Sequence, residues 1–376
     1  MTSTLSRASR LEAARADLLE RRLRRYRPPF QDAVRALAGR HARLADLAVS
    51  FPALLFALAV PRAGLKPAPA IARAIKGLSL AEVAAAADVP LWLRKLPPEA
   101  LAQPIMTLPD GALFRRQIVN HLPPSPRFAP AWLQAVADVA DLAHEPAAVW
   151  IAREFVREPK SVKPARLRRI SLWSWFSSQP GTFGHTLIDK PWIPSMRIGS
   201  ALTAADAWHT AVALHLNLGR EPIADVWLRP ARVDGYDFLP LTSIAAITEE
   251  AEAMRNCVRT YGDELAHNHA RLWSMRSDGQ RVATLSVGRT CGDPLPSIAE
   301  LKGPGNAKAP LAAWWAARRW LHMHDLPQIK MEQRDWGKAP LDRATWISLW
   351  RPYWLTKRRI PRWLPITPSR KALDAL

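Results

Sequence analysis

Prolines divide the first half of this chain into short segments, and that division limits the folds open to it. The chain has 34 prolines among 376 residues, well above the share of ~5% that is typical of proteins. Clusters at 28–29, 97–98 and 123–126 fall between segments whose apolar residues repeat at helical spacing. Because proline suits the first turn of a helix and breaks its interior, the pattern predicts many short helices.

The apolar spacing also predicts where these helices lie. The ranges are 11–27, 30–44, 69–76, 79–87, 109–119, 129–142, 146–156, 160–176 and 201–218. The most hydrophobic segment, 44–60, has an uncharged run too short to span a bilayer, and Pro52 predicts a buried pair of helices there. Ser79 and Glu82 form a capping-box pattern, and Asp110 is a second candidate cap.

From residue 241 onward the pattern changes to helix, strands and helix. Thr248 is expected to cap a helix whose apolar stripe runs through Cys257 to Leu265. Strands are predicted at 223–228, 271–276, 280–288 and 297–302, and Asp278-Gly279 predicts a hairpin turn. The expected fold class is α+β and predominantly α-helical, with a helical N-terminal region followed by a small domain whose short antiparallel sheet packs on helices.

Alternation along the last three strands predicts one apolar and one polar sheet face. The apolar face, which includes Trp273 and Met275, is expected to pack on the helix that carries Cys257. The opposite face would gather Ser274, Arg276, Thr284, Ser286, Glu300 and Lys302. Such a face is either a solvated outer surface or the wall of a site.

Cys257 is a candidate nucleophile, but its position favours a structural role. A lone cysteine on an apolar stripe is more often a small core residue, because a nucleophile needs a base within hydrogen-bond reach. His267 and His269 follow closely, yet nothing in the spacing requires contact with Cys257. Adding Cys291 gives no usual zinc-ligand spacing. Phosphate-loop, dinucleotide and metalloprotease motifs are also missing, so no metal or cofactor is expected.

The charge balance favours an anionic partner. With 53 Lys and Arg against 33 Asp and Glu, the formal net charge is +20 and the pI is about 10.9. Such an excess attracts nucleic acid, an anionic membrane surface or an acidic protein. Two cysteines exclude a disulfide framework, and residues 1–27 lack the apolar core of a signal peptide, so we expect a cytoplasmic protein.

The C-terminal segment combines tryptophan with basic residues, a composition suited to stacking on bases and binding phosphates. The candidate nucleic-acid-binding residues are Lys302, Lys357, Arg358, Arg359, Arg362, Trp354 and Trp363. The alternative is a helix that packs its tryptophans into the core and leaves arginine in solvent. The basic run 160–169 is likewise either a solvated helix face or part of a binding surface.

The segment 241–324 resembles the PcfJ-like family. That family has a His-Cys-Val motif on a helix, a Tyr soon after, an Arg that ends a strand, a strand with a central Thr, and a closing Gln-Ile-Arg-Gly-like stretch near an Asn. The matching residues here are Cys257, Val258, Tyr261, Arg276, Thr284, Leu301, Lys302, Gly303 and Asn306. Asn256 stands where the family has His, which weakens a nucleophilic role for Cys257, and Glu300 stands where it has Gln.

The resemblance implies a bacterial, mobile-element or genome-associated context, and no established reaction. We expect a helical region over 1–158, a helical and irregular linking region over 159–236, a PcfJ-like domain over 237–326 and a basic Trp-rich segment over 327–376. The first functional hypothesis is binding to nucleic acid or to a complex that handles it. The alternatives are a helical scaffold for protein partners and an enzyme of unknown reaction.

The candidate catalytic residues of that enzyme are Cys257, Tyr261, Arg276, Thr284 and Glu300, with Lys302 beside them.

Overall fold

The fold is that of a computed structural model, which describes residues 7–123, 125–219, 221–289, 295–332, 342–360 and 376. The chain divides into two compact units. The first comprises Met1–Ser178 and Lys190–Ala205, and the second comprises Gln179–Asp189 and Asp206–Leu376.

Short helices build the first unit, as the proline pattern predicts. They are α1 (Arg7–Leu23), α2 (Pro28–Ala38), α3 (Ala42–Ser50), α4 (Pro52–Ala59), α5 (Ala68–Lys76), α6 (Leu80–Ala86), α7 (Ala112–Ile118), α8 (Ala129–Leu142), α9 (Glu145–Arg157) and α10 (Pro164–Ser177). Six of them, α2, α4, α5, α8, α9 and α10, have proline at the first or second position. Proline lacks the N–H that would be unpaired there, so it starts a helix at little cost.

The local signals at the helix ends have mixed outcomes. Ser79 and Glu82 form the capping box at the start of α6, as predicted. Pro52 separates α3 from the buried helix α4, which confirms the predicted pair. The prediction for Asp110 is wrong, because Gly111 occupies the cap position of α7 without a side-chain bond. Among the described residues, no helix has both the length and the apolar character needed to cross a membrane.

The second unit combines helices with a five-stranded sheet. Its elements are α11 (Phe183–Thr186), the end of α12 (Ile198–Leu218), β1 (Ala231–Val233), β2 (Tyr236–Pro240), α13 (Ile244–Met254), α14 (Gly262–Ala266), β3 (Ala270–Ser277), β4 (Gln280–Arg289), β5 (Pro296–Lys302), α15 (Leu311–His322) and α16 (Arg343–Lys357). The structure is thus α+β and predominantly helical, as the sequence predicts.

The sheet is an antiparallel meander in the order β1-β2-β3-β4-β5. Asp278 and Gly279 have φ values of 49° and 78°, so the predicted hairpin turn is confirmed. Asp234 and Gly235 adopt the same geometry, with φ values of 52° and 80°, and join β1 to β2. The predicted strand at 223–228 is wrong, because the β1–β2 hairpin occupies that edge of the sheet.

The apolar face of the sheet packs on α15. Trp273, Met275 and Leu285 form one buried cluster with alanines and Trp320 of that helix. Phe238 stacks on Trp320 with ring centroids 4.5 Å apart and planes 4° apart. The expectation that this face packs on the Cys257 helix is therefore wrong.

A register shift after Ser286 pairs Val287 with Ile298, so Ile298 joins the apolar face, opposite to its predicted side.

Burial of Trp320 should dominate the stability of this layer. Trp320 is fully buried, whereas Trp315 on the same helix is 53% exposed. We expect W320A to lower the free energy of unfolding by about 3–5 kcal/mol in urea titrations, because it removes a large buried ring. The matched change W315A should cost roughly 0.5 kcal/mol or less. Equal destabilisation of the two variants would contradict this assignment of the core.

Candidate functional site

The strand register assembles most of the predicted polar face. Thr284 pairs with Ser274 on one side and with Lys302 on the other. Ser286 pairs with Leu272 and with Glu300 in the same way. Since partners across an antiparallel sheet share a face, these polar side chains lie together as the sequence predicts.

Helices cover this face, so it is not a solvated outer surface. Leu272 projects from this face into a buried cluster. The cluster includes Ile247 of α13, Leu265 of α14, and Val258 from the segment between these two helices. Ser274, Thr284 and Ser286 are each at most 5% exposed. The sheet is consequently the middle layer of the second unit, with α15 on its apolar face and the segment 244–266 on its polar face.

A buried carboxylate joins α13 to β4. Glu250 is fully buried, and its Oε1 accepts a hydrogen bond of 2.7 Å from Thr284 Oγ1. Its Oε2 accepts a bond of 2.9 Å from Arg281 Nε, and Arg281 Nη2 also donates to Glu249 over 2.5 Å. The cost of burying the charge is thus offset by a cation and a hydroxyl donor.

Asn256 extends this network to the segment that carries Cys257. Its Nδ2 donates to Thr284 Oγ1 over 2.8 Å, and its Oδ1 accepts from the backbone N–H of Val258 over 3.3 Å. Thr284 therefore accepts from Asn256 while it donates to Glu250. An amide fits both bonds, because its NH2 group donates and its oxygen accepts, which gives Asn256 a structural role.

Cys257 is exposed, so the prediction of a buried anchor is wrong. Helix α13 ends at Met254, and Arg255 adopts a left-handed conformation with φ of 50°. This residue breaks the helical stripe and turns Cys257 outward, while Val258 still packs inward. The predicted cap Thr248 is wrong for a related reason: α13 begins after Ser243, whose side chain accepts from Ala246 N–H.

The exposed thiol lies at a small cleft between this segment and the sheet. The cleft has a volume of about 20 Å³, roughly enough for one water molecule. Its lining residues are Asn256, Cys257, Val258, Tyr261, Leu272, Thr284, Ser286, Glu300, Lys302 and Asn306. Cys257 Sγ is 3.8 Å from Asn306 Oδ1. Four of the five predicted catalytic candidates thus meet at one place, together with Lys302.

Tyr261 is held in its protonated form in this cleft. Its hydroxyl donates to Glu300 Oε2 over 2.9 Å. Partial burial and then the carboxylate of Glu300 raise the pKa of the phenol above its ordinary value. The pair is thus a hydrogen-bond donor bound to an exposed carboxylate, and the lining described above includes no histidine that could act as a base for Cys257.

The remaining candidates lie elsewhere. Arg276 does not line the cleft, and its Nε is 3.3 Å from Ser274 Oγ. In the C-terminal segment, Trp346 and Trp350 are buried in the core, as the structural alternative predicts. Trp354, Lys357 and Arg359 are half-buried and Arg358 is exposed, whereas Arg362 and Trp363 lie outside the described residues.

Glu250 is the central residue that sequence reasoning misses. From the sequence alone, Glu250 is only a carboxylate near the start of a helix, where the helix dipole favours a negative charge. A signal is present, because Ile247, Glu250, Ala251 and Met254 share one helical stripe and all four are buried. A carboxylate on an apolar stripe indicates a buried partner, here Arg281 and Thr284.

The described part of the chain has no group of three or more His, Cys, Asp or Glu side chains that could hold a metal ion. Cys291, the fourth member of the zinc alternative, lies outside it. Comparison with protein-family models, curated proteins and solved structures finds no significant match to this chain.

Removing the Thr284 hydroxyl should destabilise the second unit. T284V keeps the shape of the side chain but leaves Asn256 Nδ2 and Glu250 Oε1 without their partner. We expect a decrease of about 1–3 kcal/mol in the free energy of unfolding. The control T203V removes an exposed hydroxyl bonded to Gly199 O, where water can substitute. A decrease in T284V no greater than in T203V would show that the network is not formed.

Tyr261 should ionise only at strongly alkaline pH. The difference in 295 nm absorbance between wild type and Y261F isolates its titration, and we expect the transition above the ordinary tyrosine pKa of about 10. E300Q should move it downward, since it removes the anionic acceptor. Because the pKa is raised by folding, this residue contributes stability below about pH 10 that is lost as pH rises through the raised pKa. A transition at or below pH 10 would contradict the geometry.

Proposed function

We propose that this protein is a cytosolic nucleic-acid-binding protein that holds phosphates with exposed basic side chains. The observation that carries the proposal is that four basic side chains of the run 160–169 are exposed and form no ion pair within the described part of the chain. Lys160, Lys163, Arg166 and Arg168 are all exposed. Among the described residues no ion pair joins any of these four to a carboxylate. Their charge therefore remains available to an anionic partner.

The position of these residues on α10 adds to the positive potential. The helix begins at Pro164 and has no acidic residue in its first turn. Arg166 and Arg168 thus lie near the end where the helix dipole is itself positive. Placing cations there is unfavourable for folding and favourable for binding phosphate, because the dipole and the guanidinium groups attract the same anion.

The wider charge balance agrees with this function. The net charge of +20 predicts rapid, salt-sensitive association with any polyanion. The resemblance to PcfJ-like proteins adds a mobile-element context, which is part of the proposal. The Trp-rich C-terminal segment contributes less than its composition suggests, since burial of Trp346 and Trp350 removes both from base stacking.

Neutralising the basic run should weaken binding to a fluorescein-labelled DNA duplex of mixed sequence. We expect the variant K160Q/K163Q/R166Q/R168Q to bind more weakly at low salt in anisotropy titrations. The slope of log K against log salt between about 50 and 200 mM should fall by roughly 0.9 for each phosphate that the variant no longer neutralises.

The control variant R40Q/K76Q/K95Q/R116Q removes the same charge from exposed positions of the same unit. It should bind more tightly than the test variant and keep most of the wild-type slope. Equal weakening in the two variants would show that net charge alone attracts DNA. Absence of binding by the wild type at low salt would reject the proposed function.

A second candidate function is chemistry at the Cys257 cleft. The observation that favours it is the convergence of Cys257, Tyr261, Thr284, Glu300 and Lys302, which come from separate segments of the chain, on one cleft with an exposed thiol. An exposed thiol beside an ammonium group, a phenol and a carboxylate has the groups that nucleophilic chemistry uses.

Thiol reactivity tests this candidate. In a C291S background, we expect Cys257 to react with a disulfide reagent at neutral pH faster in the folded protein than in the urea-unfolded chain. The control T260C in a C257S/C291S background places an exposed thiol three residues away, outside the cleft lining. A Cys257 that reacts no faster than the unfolded chain or the control thiol would leave the cleft with a structural role alone.

A further inference from the structure

A groove of about 540 Å³ lies in the first unit, between α7 and α9. Its volume is within the range of about 300–1,000 Å³ typical of small-molecule sites. Residues Leu113, Gln117 and His121, at a spacing of four, form one wall, and Glu145, Val149 and Arg153, also at a spacing of four, form the other. Phe114 and Trp150 are buried and form an apolar floor.

One end of the groove has excess positive charge. Glu154 is 2% exposed, and its Oε1 lies 3.4 Å from Arg153 Nε and 2.6 Å from Arg157 Nη1. The other carboxylate oxygen accepts from the N–H of Ile198 at the start of α12. Arg153 and Arg157 thus share the single negative charge of Glu154. These three side chains together leave one positive charge at this end of the groove.

Arg153 keeps donors for a ligand. Its Nη2 bonds to Pro194 O over 2.5 Å, so with the contact to Glu154 two of the five N–H groups of the guanidinium are used. Burial, and then the charge of Arg153, lower the pKa of His121 below its ordinary value. The imidazole is therefore neutral at neutral pH. It can form a hydrogen bond with a ligand, and Arg153 remains the cation that attracts the ligand's anionic group.

The opposite end disfavours a second anion. Glu145 lies eight residues before Arg153, or about 12 Å along α9. Its carboxylate is beside the start of α7, since a Cβ built on Gly111 would lie 2.8 Å from Glu145 Oε2. A ligand that spans the apolar middle therefore meets a cation at one end and a carboxylate at the other.

We propose that this groove binds a small monoanion, an apolar or aromatic body with a single carboxylate that pairs with Arg153. The apolar floor receives the body, and the free guanidinium donors receive the carboxylate. The site is independent of nucleic-acid binding and of the Cys257 cleft.

Dansylglycine is a suitable probe, because its fluorophore brightens in an apolar pocket and it has one carboxylate. We expect saturable enhancement with the full-length protein. Dansylglycinamide, which lacks the charge, should bind about 10-fold more weakly or worse, as removal of a charge-assisted hydrogen bond implies. V149W should abolish binding by filling the middle of the groove.

L113W is a second variant that should block the groove. Leu113 is 52% exposed, so the larger side chain should not disturb the packing of the core. L78W adds the same ring at an exposed leucine that does not line the groove, and it should bind as the wild type does. Absence of saturable binding, an amide that binds as tightly as the acid, or folded L113W and V149W variants that keep wild-type affinity would each overturn the proposal.

Discussion

The fully buried carboxylate of Glu250 attaches a helix to the polar face of the sheet, and the local geometry of the second unit depends on it. Without partners such a group would cost several kcal/mol. Arg281 and Thr284 of β4 supply the cation and the hydroxyl that bind this carboxylate. The Thr284 hydroxyl also accepts a hydrogen bond from the side-chain amide of Asn256. These bonds attach both α13 and the segment after it to the sheet, and the left-handed Arg255 between them turns Cys257 outward.

Two consequences follow for the candidate site. The polar face is closed by a helical segment, so its serines and threonine act as internal hydrogen-bonding groups. Of the residues that line the cleft, Thr284 and Ser286 are buried, whereas Cys257 and Glu300 are exposed and Tyr261 and Lys302 are half-buried. The cleft has room for about one water, whereas the groove in the first unit has the volume of a small-molecule site. Binding of polyanions by α10 requires neither.

Much of the fold could be predicted because its signals are local. Proline positions, the Ser79 capping box and the Asp278-Gly279 turn each act within a few residues, and all three appear in the structure. Strand alternation also groups Thr284, Ser286, Glu300 and Lys302 correctly. The errors arise where a single backbone conformation changes the pattern. The left-handed Arg255 turns Cys257 outward, and the bulge after Ser286 moves Ile298 across the sheet.

The candidate site was only partly predictable, because its members meet through tertiary contacts. Alternation identifies a shared face, but it does not say which helix covers that face. The choice between α13 and α15 depends on Glu250, and the alanines of α15 allow that helix to pack closely on Trp273. Strand alternation places Arg276 on the polar face of the sheet. In the structure it does not line the cleft, because a register shift in β3 separates it from Met275 and the residues before it.

A double-mutant cycle between Glu250 and Thr284 measures whether this hydrogen bond joins α13 to the sheet. The free energy of unfolding would be measured for wild type, E250Q, T284V and E250Q/T284V. We expect a coupling energy of about 0.5–3 kcal/mol, because each single change leaves the other group without its partner. Additive effects would contradict the claim that this bond joins α13 to the sheet and positions Cys257.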